Sequence, residues 1–275
     1  MKPPAFDYAR PATLPEAFAA LLGTEGAMAL GGGQSLLPML GLRVAAPSLL
    51  VDLARLPGLR EVTETAARIR IGAGVTHAAI EDGVVADPSR GMLRRVAAGI
   101  AYRAVRNFGT IGGAVALADP AADWPACLLA LDAVAIIAGP DGERRLPLEA
   151  LLLGAYTTAL EAGEILLGFD VPRLGAASRW GWCKLARKQG AYADSIGAVV
   201  LPGDGAPPRI VLGATTSRPA LLPHAAAALA RGEAGATLRD ALLGDIEAAE
   251  PDADSYRRRC HLATVQRAIA QATSA

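Results

Sequence analysis

The order of apolar and polar residues changes period several times along this chain, and each change marks an element. Residues 13–22, TLPEAFAALL, begin with a threonine cap, an early proline and a glutamate before small apolar side chains, which predicts a helix. AMAL at 27–30 reads as a short buried strand and SLLVDL at 48–53 as the next one. Between them lie three glycines and a short helix-like run, 36–42. This alternation of strand and helix predicts a small α/β unit ending near residue 57.

A second unit follows. RIRIGAG at 68–74 alternates as a half-buried strand does, and the polar residues before it predict a hairpin. THAAIEDGVV is helical in pattern with Thr76 as its N-cap, and GMLRRVAAGIAYRAVRN (91–107) reads as one longer helix. The glycine-rich FGTIGGAVALADPAAD comes next, then the helix WPACLLALD, whose Pro125 is tolerable only in a first turn. AVAIIAGPDGERRLPL predicts a hairpin turning at Asp141-Gly142, and EILLGFDVP (164–172) closes the unit as a strand stopped by Pro172. After the small-residue junction RLGAAS, three runs are strand-like: WGWCKLARK, DSIGAVVL and PRIVLGATT. Residues 219–231, 236–248 and 253–272 are helical. The expected architecture is α/β (α+β) in three domains, 1–57, 58–175 and 176–275, the last a three-stranded antiparallel sheet backed by a helical bundle.

Composition narrows the function. The 275 residues are 52% hydrophobic with few aromatics, so a large core packed from small side chains is expected. The 27 basic and 27 acidic side chains cancel, which argues against nucleic acid or an anionic membrane as the main partner. The first residues lack the apolar core of a signal peptide. The longest apolar run, 126–138, is broken by Asp132 and too short to cross a bilayer. Cys127, Cys183 and Cys260 are widely spaced and odd in number, and read as reduced, mostly buried thiols of a cytoplasmic protein. No metal-ligand spacing joins them to His77, His224 and His261, so no metal or iron–sulfur site is expected on this chain.

The chemistry falls to the loops. LGGGQSL (30–36) sets bare backbone before a helix, where N–H groups and the helix dipole favour an anion. It matches neither a Walker A loop nor the Rossmann G-x-G-x-x-G, and alone it is a tight turn. GTIGG (109–113) repeats the arrangement, and two such loops suit a diphosphate held from both sides. Neither loop holds a lysine or arginine. Arg106 lies close by, and reads either as a diphosphate partner or as a surface charge at a helix end.

ALGGGQSLLPML followed by RNFGTIGGAVALADPAADWPA resembles the FAD-binding medium subunit of the molybdenum hydroxylases, the xanthine dehydrogenase and aerobic carbon monoxide dehydrogenase family. IGAGVTH, EILLGFDVP, KLARKQGAYA, TSRP and YRRRCHLATVQRAI extend the resemblance over essentially the whole chain. It implies a two-subdomain FAD-binding fold of the vanillyl-alcohol-oxidase/PCMH type with a separate C-terminal domain, and non-covalent FAD. Carried over by position, Gly31, Gly32, Gly33, Gln34 and Ser35 form the first diphosphate loop, and Thr110, Ile111, Gly112, Gly113 and Ala114 the second. Asp123 matches a position that approaches the flavin's sugar-like chain, although its residue type also suits an N-cap for the helix near Trp124. Lys184 and Tyr192 come from the segment that reaches the isoalloxazine ring in the family. The lysine would favour the anionic reduced ring and the tyrosine would shield it; by type alone they are an exposed strand lysine and a turn tyrosine.

The resemblance further implies partners: a large molybdopterin subunit and a small 2Fe–2S subunit, assembled as a dimer of heterotrimers. Electrons would pass from the partner's 2Fe–2S centres to FAD here and on to an external acceptor, with no catalytic side chain required of this chain. Ala114 and Leu117 stand where relatives commonly carry polar residues, and RKQGAYA departs from the family's RRxGDYA. The cysteine-rich insertion of a 4Fe–4S subclass is absent from the sequence. Two alternatives stay open: a stand-alone FAD oxidoreductase with its own acid–base pair, and a flavin-free assembly or scaffold subunit.

Overall fold

Three short strands, β1 (Asp7–Ala9), β2 (Ala27–Leu30) and β3 (Leu49–Asp52), pair in parallel in the order β1-β3-β2. The computed structural model describes residues 2–203 and 205–274. Its central place buries every residue of β3. β2, by contrast, lies at the sheet edge with Met28 and Ala29 exposed, and is not the buried strand that AMAL suggested. β1 has no counterpart in the sequence pattern, because three residues are too few to show an alternation. Helix α1 (Leu14–Gly23) joins β1 to β2. Thr13 Oγ1 accepts from the Glu16 amide at 3.4 Å, and Glu16 Oε2 accepts from the Ala12 amide at 2.8 Å, a variant of the capping box. Helix α2 (Leu36–Leu42) follows the first glycine loop.

The second sheet is antiparallel. Its strands are β4 (Val62–Glu64), β5 (Arg68–Gly72), β6 (Val134–Gly139), β7 (Gly142–Pro147) and, after the hairpin β8 (Leu152–Gly154) and β9 (Thr157–Thr158), β10 (Ile165–Pro172). The order is β4-β5-β10-β6-β7, so the apolar β10 lies at the centre. Between β5 and β6 run α3 (His77–Glu81), α4 (Met92–Ala98), α5 (Arg103–Arg106), α6 (Ile111–Leu117) and α7 (Asp123–Ala130); α8 (Leu148–Leu151) follows β7. Trp124, Phe169, Ile69, Ile71, Met92 and Leu128 form the centre of the common core. Three expectations need correction. THAAIEDGVV is helical only over α3. Segment 91–107 is two helices, broken where Ala101 takes φ +43° and the Ile100 and Ala101 carbonyls turn to accept from Arg106 Nη1 at 2.8 and 2.9 Å. The β6–β7 hairpin pairs Gly139 with Gly142, so Pro140 and Asp141 make the turn instead of Asp141-Gly142.

The remaining strands, β11 (Arg179–Leu185), β12 (Ser195–Leu201), β13 (Arg209–Gly213) and β14 (Ala220–Leu221), form an antiparallel sheet with helices α9 (Pro223–Ala230), α10 (Gly235–Ala249) and α11 (Ser255–Ser274). The two-residue β14, paired through Val211 and Leu221, adds a fourth strand to the three that the pattern showed. Period-two alternation divides β12 between two cores. Ile196, Ala198 and Val200 join the common core, whereas Val199, with Ile210 and Leu212 of β13, faces Leu242, Ile246, Val265 and Ile269 of the helices. Cys127 is buried, but Cys183 and Cys260 are only half-buried, fewer buried thiols than expected; all three are free.

A buried polar chain ties α11 to this sheet. His261 meets Ser195 Oγ through Nδ1 at 2.8 Å and Glu250 Oε2 through Nε2 at 2.6 Å, while Glu250 Oε1 accepts from the Thr216 amide at 2.8 Å and Arg257 Nε at 2.9 Å. The carboxylate selects the tautomer with Nε2 protonated, which leaves Nδ1 to accept from the serine hydroxyl. Burial pushes Glu250 up, but hydrogen bonds from Arg257 and His261 outweigh it and hold the carboxyl below its ordinary value. Ser195, Glu250 and His261 are all buried, so this serine–histidine–glutamate chain is a structural lock with no access for a substrate. Glu250→Gln is expected to cost about 2 kcal/mol in urea unfolding, since a charge-assisted acceptor is lost from a buried network.

Candidate functional site

The two glycine loops touch. The first leaves β2 at Gly31, turns at Gly33 (φ +72°, a left-handed position that suits glycine) and enters α2. The second starts after α5 and becomes the first turn of α6, with Thr110 as N-cap accepting from the Gly113 amide at 3.1 Å. Thr110 also bridges to Thr76, the predicted N-cap of α3, which binds the second loop to the edge of that helix.

The glycines divide into two kinds. A Cβ added to Gly32 would sit 2.7 Å from the carbonyl carbon of Phe108 and closer still to its oxygen. A Cβ on Gly112 would sit 2.7 Å from Cα and the carbonyl oxygen of Ala73. These two therefore serve loop-against-loop and helix-against-strand packing. Gly31 and Gly113 are different: both are exposed, and an added Cβ would meet a side chain first and not backbone, Thr110 Oγ1 at 3.3 Å from Gly31 and at 2.8 Å from Gly113. They form an open cradle between the loops.

The amide donors are also unequally spent. In the second loop the amides of Ile111 and Gly112 donate to Val75 and Ala73 carbonyls at 3.0 and 2.9 Å, and that of Ala114 to Thr110 at 3.1 Å. No bond to a protein acceptor is made by the amides of Gly32, Gly33, Gln34 and Ser35 among the described residues. Gln34 Nε2 donates back to the Gly32 carbonyl at 3.2 Å, which stiffens the turn. Donors for an anion thus come from the first loop, and the second contributes the Thr110 hydroxyl and the bare face at Gly113.

Below the loops, Asp123 and Lys184 form an ion pair, Oδ2 to Nζ 2.8 Å, with side chains only 6% and 12% exposed. Two expectations change. The N-cap of α7 is Ala122, and Asp123 is the first helical residue with its carboxylate turned to the lysine. Lys184 is no exposed strand lysine. Burial raises Asp123 to about 6, more than Lys184 draws it down, and its Oδ1 is buried with no hydrogen-bond partner. Tyr192 is an exposed residue of the β11–β12 turn, whose hydroxyl is held above its ordinary value by partial burial and by Asp119 and is drawn down by Ser35 of the first loop.

Arg106 joins neither description given to it. Its guanidinium clasps Glu81 at 2.7 and 2.9 Å as well as the two carbonyls above, so it braces the turn before the second loop. His77 lies on a helix as expected but is buried: Trp124 Nε1 donates to its Nδ1 at 3.0 Å, and burial, helped by Arg106, lowers it to about 4. Two residues escaped the sequence reading. Asp119 accepts from the Ala121 amide at 2.9 Å, and burial together with Asp119 pushes the hydroxyl of Tyr156 above its ordinary value; Tyr156 takes φ +54° and its own amide donates to the Ala118 carbonyl at 2.8 Å. Only their side chains carry that signal, spread over nearly forty positions. A concavity of about 410 Å³ runs along β2 beside Leu22, Gly26 and Gly163.

Residues 4–174 match the family described as the FAD binding domain in molybdopterin dehydrogenase. The chain is 39% identical over 207 residues to the carbon monoxide dehydrogenase medium chain of Hydrogenophaga pseudoflava, covering 74% of this chain and 72% of that one. It is 39% identical over 194 residues to the 6-hydroxypseudooxynicotine dehydrogenase complex subunit alpha of Paenarthrobacter nicotinovorans, covering 70% of this chain and just under two thirds, 66%, of that relative's length. Among solved structures, a carbon monoxide dehydrogenase from Hydrogenophaga pseudoflava superposes with a TM-score of 0.91 at 33% identity, covering 100% of this chain and 99% of that one. Quinoline 2-oxidoreductase from Pseudomonas putida 86 superposes at 0.87 and 35% identity with the same coverage.

Proposed function

We propose an electron-transfer role for this chain, which belongs to the family of FAD-binding medium subunits of the molybdenum hydroxylases, an oxidoreductase family. The residues present fit the cofactor. Unspent amides from Gly32 to Ser35 and the Thr110 hydroxyl suit the diphosphate, and Gly31 and Gly113 leave space that a Cβ would fill. The unpartnered Oδ1 of Asp123 is a buried acceptor that suits a hydroxyl of the flavin side chain. When bound, FAD supplies the redox chemistry that links one-electron iron–sulfur partners to an external acceptor. The chain itself binds and orients: Gly32 packs the first loop against Phe108 of the second, Lys184 and Tyr192 bring residues 176–275 to the cofactor site made by 1–57 and 58–175, and Arg106 fixes the turn at Ile100–Ala101 ahead of the second loop.

The remaining features follow the same reading: a large molybdopterin subunit and a small 2Fe–2S subunit as partners in a dimer of heterotrimers, in the cytoplasm. No described helix is long and apolar enough to cross a membrane. A self-sufficient oxidase would need an acid–base group beside the ring, and His77, the nearest histidine to the second loop, is buried, neutral and engaged by Trp124.

The two unequal kinds of glycine carry this proposal, and Gly31→Ala tests it. The added methyl meets Thr110 Oγ1 at 3.3 Å, which a shift of a few tenths of an ångström relieves, so thermal stability is expected to fall by far less than for Gly112→Ala while FAD affinity falls about tenfold through lost close approach to the backbone. Flavin absorbance after titration of the stripped protein reads the affinity. Full affinity in a folded variant would place the anion elsewhere.

A further inference from the structure

The buried ion pair carries a consequence beyond cofactor binding. Lys184 projects from β11 and is half-enclosed by the C-cap of α4, its Nζ 3.5 Å from the Gly99 carbonyl, while Asp123 meets it from the first turn of α7. The Ala193 amide, next to Tyr192, donates to the Ala121 carbonyl at 3.5 Å, which sets that tyrosine beside the start of α7 and the pair. Cys127, one turn along α7, is a buried neutral thiol. The cation and the anion thus stand 2.8 Å apart and shielded from water, with Asp87 and Asp119 as further carboxylates around Cys127 and Tyr192.

A lone buried cation beside an isoalloxazine ring would strongly favour the reduced ring, which gains negative charge. A cation already cancelled by a carboxylate would do so weakly, because opposite charges at contact distance leave only a dipole. Lys184 cannot be assigned a charge effect on the flavin without its partner. We propose that Asp123 sets the potential of the bound flavin by cancelling the charge of Lys184, a positioning role separate from any hydrogen bond it makes to the cofactor. This inference rests on the FAD reading given above.

The test measures flavin midpoint potential and flavin content of the purified protein at about pH 8, where carboxylates are ionised. Asp123→Asn is expected to move the potential upward, by roughly tenfold in the ratio of reduced to oxidised flavin at a fixed reference potential. Lys184→Gln should move it downward, and the double variant should return close to the wild-type value, since it restores neutrality. Simple damage to the site would instead add. An unchanged potential in a flavin-replete Asp123→Asn protein, or a double variant shifted further than either single one, overturns the inference. Loss of flavin from both single variants overturns it too, because the pair would then hold the cofactor and not tune it. A wild-type protein that takes up no FAD sinks the underlying reading, a failure distinguishable from the others.

Discussion

Gly112→Ala is expected to lose at least about 3 kcal/mol of stability, roughly 8 °C in melting temperature, although it adds a single methyl group. The methyl would enter the contact between the first turn of α6 and the end of β5, 2.7 Å from Cα of Ala73. Neither side can yield easily. The Gly112 amide donates to the Ala73 carbonyl at 2.9 Å, and the Ala73 amide donates to the Leu167 carbonyl at 2.8 Å, where β10 carries an irregularity between Leu166 and Gly168. Moving α6 away would break this chain of bonds and open the core around Ile111 and Val115, both fully buried. Gly32→Ala should behave similarly at the surface, because its methyl meets the Phe108 carbonyl. Thermal melting of the three alanine variants decides the matter. If Gly112→Ala melts with wild type, or Gly31→Ala melts as low as Gly112→Ala, the division between packing glycines and ligand-facing glycines is wrong.

That division marks the limit of what the sequence could say about the site. GGGQS and TIGGA were legible as a pair of backbone-exposing loops because glycine runs before apolar helices are rare and have a defined chemistry. Which glycine faces outward depends on where Phe108 and Ala73 pass, and those come from segments whose positions only the fold supplies. The alternation in RIRIGAG and DSIGAVVL located β5 and β12 because a half-buried strand must alternate. The break in segment 91–107 was hidden for the opposite reason: Ile100, Ala101 and Tyr102 suit a helix, and the bend is held from outside by Arg106. Asp123 and Lys184 show the same limit most clearly. Each has an ordinary local description, a cap and a surface lysine, and sixty-one positions separate them. Their meaning arises only when β11 is laid across the start of α7.

Acid stability is expected to depend on two buried groups that act in opposite directions. His77 has a folded value of about 4 against an ordinary 6.5, so the unfolded chain takes up its proton first as the pH falls. Its contribution, about 3 kcal/mol, is complete above pH 6.5 and is lost progressively down to about 4. Asp123 has a folded value of about 6 against 3.8, so the folded chain takes up its proton first and gains about 3 kcal/mol between those limits. The two nearly cancel over the shared range from 6 to 4, which predicts a shallow wild-type profile in mild acid. His77→Gln keeps an acceptor for the Trp124 indole but cannot titrate. Relative to wild type, its stability should therefore rise by about 3 kcal/mol on going from neutrality to pH 4. Asp123→Asn should do the reverse and turn the profile steep. Other titrating groups, including His261, whose burial also lowers it, are common to all three proteins and drop out of the differences. Urea unfolding across this range measures each difference directly. Parallel profiles for wild type and His77→Gln would mean that His77 is already accessible to protons in the folded chain, and that the Trp124 indole does not hold it as the structure indicates.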